Sequence, residues 1–389
     1  MSRDLQRWLL PEGVEDVLPG RAQALESLRR RSLDLYAAHG FDYVIPPLLE
    51  FRASLLTGVG QDLALSTLAV VDQASGHQLG LRADMTPQVA RIDAHGRPLQ
   101  GVGRYCYAGT VVQARGRHLG DRRCQIQMGC ELFGHAGIEA DLEILDLMLK
   151  SLRLAGCQRI VLELGHVGIL RSLLPADIVG ERADAIFDML QRKAQPELVL
   201  ALAEQPALLH ALRVLVNAAG DRSQIAQARA ALAGSAGALQ HLDDLEHVCQ
   251  RLQRDFPEVD LYIDLSELRG YRYHTGLSFA AYVEGGHVEV AKGGRYDDVG
   301  LAFGRARPAT GFSLDLLSLS ALQQQAQGRI WAPADDDAEL QALVEHLRGQ
   351  GERVLKALPG EAPVDAQALG LDRRIEKVDG RWSVRPWHS

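Results

Sequence analysis

Apolar positions near the start of the chain fall at helical spacing. Leu25, Leu28, Leu35 and Tyr36 line one face of a segment Arg21–Ala38, and Gly40 suits the position just past its end. Between Arg104 and Gly134 the period changes. Cys124, Ile126, Met128 and Cys130 alternate with Gln125, Gln127, Gly129 and Glu131, the two-residue repeat of a strand. A second apolar stretch, Tyr105–Gln113, precedes it across a polar connection, Arg115–Arg123, rich in Gly and Arg. The pattern predicts two adjacent strands joined by a long loop. Gln127 and Glu131 then share a face with Gly129, which predicts floor space for a ligand between two hydrogen-bonding side chains.

The remaining pattern alternates between strands and helices. A strand Leu79–Arg82 gives way to Asp84 and Thr86, with Pro87 in the first turn of a helix. Leu142, Leu145, Leu149 and Leu152 predict an amphipathic helix Glu139–Ala155, and Arg159–Gly165 a strand. From about Leu170 to about Phe256, Ala, Leu and Gln dominate. This predicts an insertion of several short helices, broken at Pro196, Pro206 and Gly234–Gly237. His210, His241 and His247 lie in it without ligand spacing and are expected on the surface or in helix packing. Ser278–Val290 reads as a hairpin turning at Gly285 and Gly286, and Pro308–Leu314 as a strand. The pattern after about Ser320 predicts a small α/β module whose last hairpin turns at Asp379 and Gly380.

Composition narrows the class. A chain of 389 residues with 47% hydrophobic and 24% charged positions is expected to be soluble and globular. A net charge of −8 without a basic stripe gives no expectation of a nucleic-acid partner. Cys106, Cys124, Cys130, Cys157 and Cys249 form no CxxC pair and no Cys/His ligand spacing. Neither a disulfide framework nor a metal site is expected, and reduced thiols fit a cytoplasmic location. The first twenty residues carry acids and prolines where a signal peptide needs a clean apolar core, and no run reaches membrane-spanning length.

Several runs carry a resemblance. Gln127–Gly134 (QMGCELFG), at the end of the strand–loop–strand, resembles the second class-defining motif of histidyl-tRNA synthetases. Residues 10–19 (LPEGVEDVLP) resemble the segment leading into that core. Gly40–Glu50, with Pro47 at the end of a strand, resembles the first class II motif. Arg269–Gly276 (RGYRYHTG) is similar to the histidine-specific signature, with Arg272 and His274 as departures, and Gly293–Asp297 (GGRYD) follows it. The glycine pair there reads as a tight turn against the sheet floor. The resemblance covers about residues 8–318. It implies an α+β fold of the class II aminoacyl-tRNA synthetase type: an antiparallel sheet flanked by helices, with the helical insertion. Residues 319–389 form the small module, in place of a full anticodon-binding domain.

By the resemblance, Asp84 and Thr86 contact the amino group of histidine, and Arg269 neutralises its carboxylate. Gln127, Glu131, Tyr273 and His274 complete the pocket around its ring. The two arginines that grip ATP in synthetases fall on Gln113 and Ser318, so adenylate formation is not expected. A histidine-facing set without an ATP-facing set resembles the regulatory subunits of ATP phosphoribosyltransferase. That resemblance implies a chain with no catalytic residue, cofactor or metal of its own. It implies a short-form catalytic subunit as partner, histidine as feedback ligand, and self-association around Pro47. Arg115, Arg117, Arg122 and Arg123 are expected to face a partner from a loop that histidine orders. The alternatives are a divergent histidyl-tRNA synthetase and a free-standing histidine sensor.

Overall fold

The structure, a computed structural model, describes residues 8–58, 61–116, 121–268, 270, 273–284, 288–322, 328–362 and 365–387. It divides into two compact units, Met1–Gln323 and Gln324–Ser389.

The strands of the first unit are β1 (Asp42–Tyr43), β2 (Leu49–Phe51), β3 (Ala69–Val71), β4 (Gln78–Leu81), β5 (Gly103–Val112) and β6 (Cys124–Phe133). They continue as β7 (Ile160–His166), β8 (Ala219–Gly220), β9 (Val259–Asp264), β10 (Leu277–Val283), β11 (Ala291–Arg295) and β12 (Ala309–Asp315). Among the described residues β2, β4 and β3 make a small antiparallel sheet. The others form one sheet in the order β1-β5-β6-β12-β11-β10-β7-β9-β8. It is antiparallel except where β1 runs parallel to β5 and β7 to β9. This is the α+β architecture that the hydrophobic pattern and the resemblance lead one to expect.

Two helices pack on one face of the sheet. The helix Pro19–Ala38 starts at its proline, whose fixed φ suits a first turn. Gly40, at φ +81°, turns the chain away beyond its end. The helix Ile138–Leu154 carries Glu139 and Asp141 in its first turn and Arg153 in its last, each at the favourable end of the dipole. Leu28, Tyr36, Leu145 and Met148 from these helices meet Met128, Cys130 and Leu132 of β6 in one core. The alternation of β6 is therefore realised, and Glu131 is sent to the opposite face.

Differences from the sequence reading are local. β1 stops at Tyr43, so Pro46 and Pro47 lie beyond it rather than at its end. Lacking N–H donors, they contribute only carbonyls, which accept from Arg82 Nη1 at 2.5 Å and Gln88 Nε2 at 2.8 Å. Gly293 and Gly294 sit inside β11, not at a turn. Their Cβ atoms would lie 2.1 Å from the Gly311 carbonyl oxygen and 2.4 Å from that of Leu277. The expected turn at Gly285 and Gly286 falls outside the described residues. Pro196 and Pro206 begin helices, Gln195–Ala201 and Pro206–Asn217, instead of breaking them. Ala219–Gly220, between two insertion helices, pairs with β9 at the edge of the main sheet, which no periodicity signalled.

The second unit contains β13 (Arg329–Ala332), a helix Ala338–Gly349, β14 (Val354–Lys356), β15 (Leu371–Val378) and β16 (Arg381–Pro386). The sheet order is β14-β13-β15-β16. Asp337 caps the helix by accepting from the Glu339 N–H at 2.8 Å. Asp379 and Gly380 both have positive φ, as a two-residue hairpin turn demands. No helix among the described residues is long and apolar enough to cross a membrane.

Candidate functional site

The face of β6 turned away from the helices builds a polar pocket. Its floor differs from the simple expectation at Gly129. Tyr107 of β5 stands directly opposite in register, and a Cβ on Gly129 would lie 2.7 Å from its hydroxyl. The tyrosine fills the space left by the glycine, so the open volume lies further along, over Glu131.

Glu131 is fully buried. Its Oε1 accepts from Thr86 Oγ1 at 2.8 Å and from the Tyr107 hydroxyl at 2.9 Å, and its Oε2 from the Tyr296 hydroxyl. None of these partners is a cation. Burial pushes the carboxyl up to about 8, and the three hydroxyls offset only part of that. At neutral pH the group holds a proton and can donate as well as accept. Gly311 of β12 makes the room for it, since a Cβ there would lie 1.7 Å from Glu131 Oε2.

Asp84 and Thr86 come from the turn that opens the short helix Thr86–Arg91. Asp84 Oδ1 accepts from the Thr86 N–H at 3.1 Å and from Gln127 Nε2 at 2.8 Å, and Gln127 Oε1 accepts from the Met85 N–H at 2.9 Å. Gln127 thus clamps the turn from β6 and aims Asp84. It is not itself in the cavity lining.

Tyr273 stacks on Tyr296 with ring centroids 5.0 Å apart, and His274 packs edge-on against Tyr273. Burial holds the His274 imidazole down to about 4, so it is neutral. Its Nδ1 lies 3.3 Å from the Arg295 carbonyl oxygen, which assigns the proton to Nδ1 and leaves Nε2 as an acceptor. Arg269 lies outside the described residues.

Asp84, Thr86, Glu131, Tyr273 and His274 line one cavity of about 170 Å³. Ser278, Lys292, Tyr296, Glu163 and Glu267 also line it. The Tyr273 hydroxyl and Ser278 Oγ are sealed from solvent without a hydrogen-bond partner. Each such group costs about 1–3 kcal/mol unless something in the cavity satisfies it. The sequence reading missed Tyr107, Tyr296 and Ser278. Only the register of β5 and β6 and the packing of β10–β12 bring them to Glu131 and the cavity.

The Arg of the GGRYD run is not a pocket group. Arg295 forms a buried pair with Asp141 at 2.7 Å and also donates to the carbonyls of Gly137 and His135. Asp297 accepts from Thr275 Oγ1 at 3.1 Å and from the Ala309 N–H at 2.9 Å, tying the Tyr273–Gly276 segment to β12.

Gln113 and Ser318, the positions that the resemblance assigns to the ATP arginines, make internal contacts. Gln113 bridges to Thr67 and donates to the Ala83 carbonyl at 3.2 Å. Ser318 donates to Asp315 Oδ2 at 2.7 Å and accepts from Arg122 at 3.2 Å. Arg122 is paired with Glu15 at 2.8 Å and lies 3.7 Å from Asp315. Two carboxylates of the chain itself absorb this cation. Arg123 donates from Nε to the Gln113 carbonyl at 3.1 Å, so both it and Arg122 have partners within the chain. Arg117 lies outside the described residues.

Residues 13–319 match the histidyl-tRNA synthetase family, and residues 327–385 match the family described as ATP phosphoribosyltransferase subunit HisZ C-terminal domain. An ATP phosphoribosyltransferase regulatory subunit from Marinobacter nauticus is 49% identical, over 97% of this chain and 98% of that one. One from Ectopseudomonas mendocina is 47% identical, over 98% of each. Among solved structures, an ATP phosphoribosyltransferase regulatory subunit/histidyl-tRNA synthetase from Bacillus halodurans superposes with a TM-score of 0.81 at 25% identity. It covers 96% of this chain and 99% of that one. A histidyl-tRNA synthetase from Nostoc sp. gives 0.75 at 16% identity over 97% of each chain, a likeness of fold alone.

Proposed function

We propose, for a chain that belongs to the ATP phosphoribosyltransferase regulatory subunit family, that its polar pocket binds free histidine as the feedback signal of histidine biosynthesis. Within that family the chain is a regulatory subunit and carries out no chemistry by itself. The observation that carries the histidine reading is the buried carboxyl of Glu131, ringed by three hydroxyls and no cation, at a cavity with an unsatisfied Tyr273 hydroxyl. An imidazole offers one donor and one acceptor, which Glu131 and Tyr273 together answer. Asp84 takes the ammonium group, and Arg269 the carboxylate. At about 170 Å³ the cavity falls below the roughly 300–1,000 Å³ of pockets for drug-sized ligands, which favours an amino acid over a nucleotide.

The partner in this reading is a short-form catalytic subunit, and both chains work in the cytoplasm. Self-association uses the region around Pro47, where Ile45, Phe51 and Val71 are 76%, 55% and 66% exposed. Phe51 and Val71 lie on the strands either side of β4, and large exposed apolar side chains gathered on one small sheet mark an interaction face.

Titration calorimetry on the whole chain tests the pocket. Glu131→Ala should weaken histidine binding by about tenfold, the loss of one buried hydrogen bond. Unchanged affinity would place the ring elsewhere, with His274 the next candidate. Regulation is tested on the reconstituted complex. Histidine should inhibit it, with a coupling of about 1–3 kcal/mol, and the complex should shift histidine affinity by the same factor. Inhibition that persists in an Arg269→Ala variant unable to bind histidine would move the feedback site to the partner.

A further inference from the structure

Beyond the pocket, the end of β7 meets the long helix Ala236–Asp255 of the insertion. His166 is the last residue of β7, and its ring stacks on that of His241 at 4.5 Å between centroids. Asp244 follows His241 by three residues and so shares its helix face. Donor atoms of the three side chains all lie within 4.8 Å of one another.

We infer that His166, His241 and Asp244 form a binding site for a divalent transition metal, Zn²⁺ by its ligand set, which fastens the insertion to the sheet.

Two observations bear on the site, and the first separates it from a stacked pair that only packs. His166 is 6% exposed, and its Nδ1 is buried with no hydrogen-bond partner. His241 Nδ1 is likewise buried and unpartnered, and its nearest carboxylate oxygen, on Asp244, is 3.8 Å away, too far for a hydrogen bond. Packing alone would leave both nitrogens uncompensated. Secondly, the backbone makes room for the rings. A Cβ on Gly168 would lie 2.7 Å from His241 Nε2 and 2.9 Å from His166 Cε1.

The donor set selects the ion. Two imidazoles and one carboxylate suit Zn²⁺, with water in the fourth position, whereas Mg²⁺ and Ca²⁺ prefer oxygen ligands. Bonds of about 2.0–2.2 Å place tetrahedral ligand atoms roughly 3.4 Å apart, so the cluster closes by about an ångström on binding. His241 and Asp244, whose side chains are 31% and 33% exposed, can make that movement if Asp244 gives up its exposed 3.2 Å hydrogen bond from Gln240 Nε2.

The test uses the full-length chain, stripped with chelator and titrated with Zn²⁺ alone against a competing chelator dye. Stoichiometry is read by mass spectrometry. Co²⁺ serves as the spectroscopic substitute, and its visible d–d absorption reports tetrahedral coordination by nitrogen and oxygen. One Zn²⁺ per chain is expected, with slower hydrogen exchange in Ala236–Asp255 when the metal is bound. Asp244→Asn, a partly exposed change that leaves the fold intact, should weaken Zn²⁺ at least about 100-fold, since even outer-shell partners are worth roughly 10–100-fold. His166→Ala should abolish binding, and its folding is checked by circular dichroism. Sub-stoichiometric Zn²⁺ in the wild type, or equal affinity in Asp244→Asn, would overturn the site and leave a packing pair.

Discussion

At the scale of single residues, the pocket turns on Glu131 and the glycine beside it. The Glu131 carboxyl is raised from 4.5 to about 8 by burial. Below about pH 4.5 the folded and unfolded chains both hold this proton. Between there and about pH 8 only the folded chain does, so its contribution to stability falls as pH rises through that window. At 1.36 kcal/mol per unit the fall is on the order of 5 kcal/mol. Glu131→Gln, which cannot ionise, should gain on the wild type by a few kcal/mol between pH 5 and pH 8, as read from urea midpoints. Parallel pH profiles for the two proteins would refute the burial argument. Gly311→Ala drives a methyl into Glu131 Oε2 and should cost about 1–3 kcal/mol, with loss of histidine binding by calorimetry.

Elements are joined by charge where the sheet meets the helix Ile138–Leu154. Arg295 of β11 and Asp141 of the helix are both buried, and burial raises Asp141 against the pull of Arg295. Asp141→Ala leaves the buried guanidinium only Asp297, at 3.3 Å, as a counter-charge and should cost up to about 3–5 kcal/mol in chemical denaturation. Replacing both partners by apolar residues should cost much less, because no unpaired charge remains. The Glu15–Arg122–Asp315 set plays a comparable part between the segment before Pro19, the end of the β5–β6 loop and the end of β12. With those carboxylates in place, restoring arginine at Gln113 and Ser318 should not restore histidine-dependent ATP–pyrophosphate exchange. Exchange at synthetase-like rates in the double variant would show that the two side chains alone had been missing.

For the whole molecule, the exposed apolar residues of the small sheet and of the segment leading into it predict assembly. Ile45→Glu and Phe51→Glu should each lower the sedimenting mass, while histidine binding stays intact because neither residue lines the cavity. Equal sedimentation of variants and wild type would exclude this face as the subunit contact.

The sequence by itself determined the architecture and half of the pocket. Period-two alternation in β6 sends Glu131 away from the core wherever the strand is placed. The helical spacing of Leu142–Leu152 dictates which face of that helix is buried. Short-range signals of this kind depend only on side-chain direction along one element. The neutral side chains Gln113 and Ser318 are read directly from the sequence, but their assignment to the ATP arginines rests on the resemblance. What only the tertiary structure decided involves pairs distant in the chain. Register across β5, β6 and β12 sets Tyr107 over Gly129 and Gly311 against Glu131. Packing brings Tyr296 to the same carboxyl and shuts Tyr273 away from water. It also stacks His166 on His241, which the spacing of histidines within the insertion could not show. Burial and encounter, unlike periodicity, are properties of the closed fold, and they set the protonation of Glu131 and the shape of the cavity.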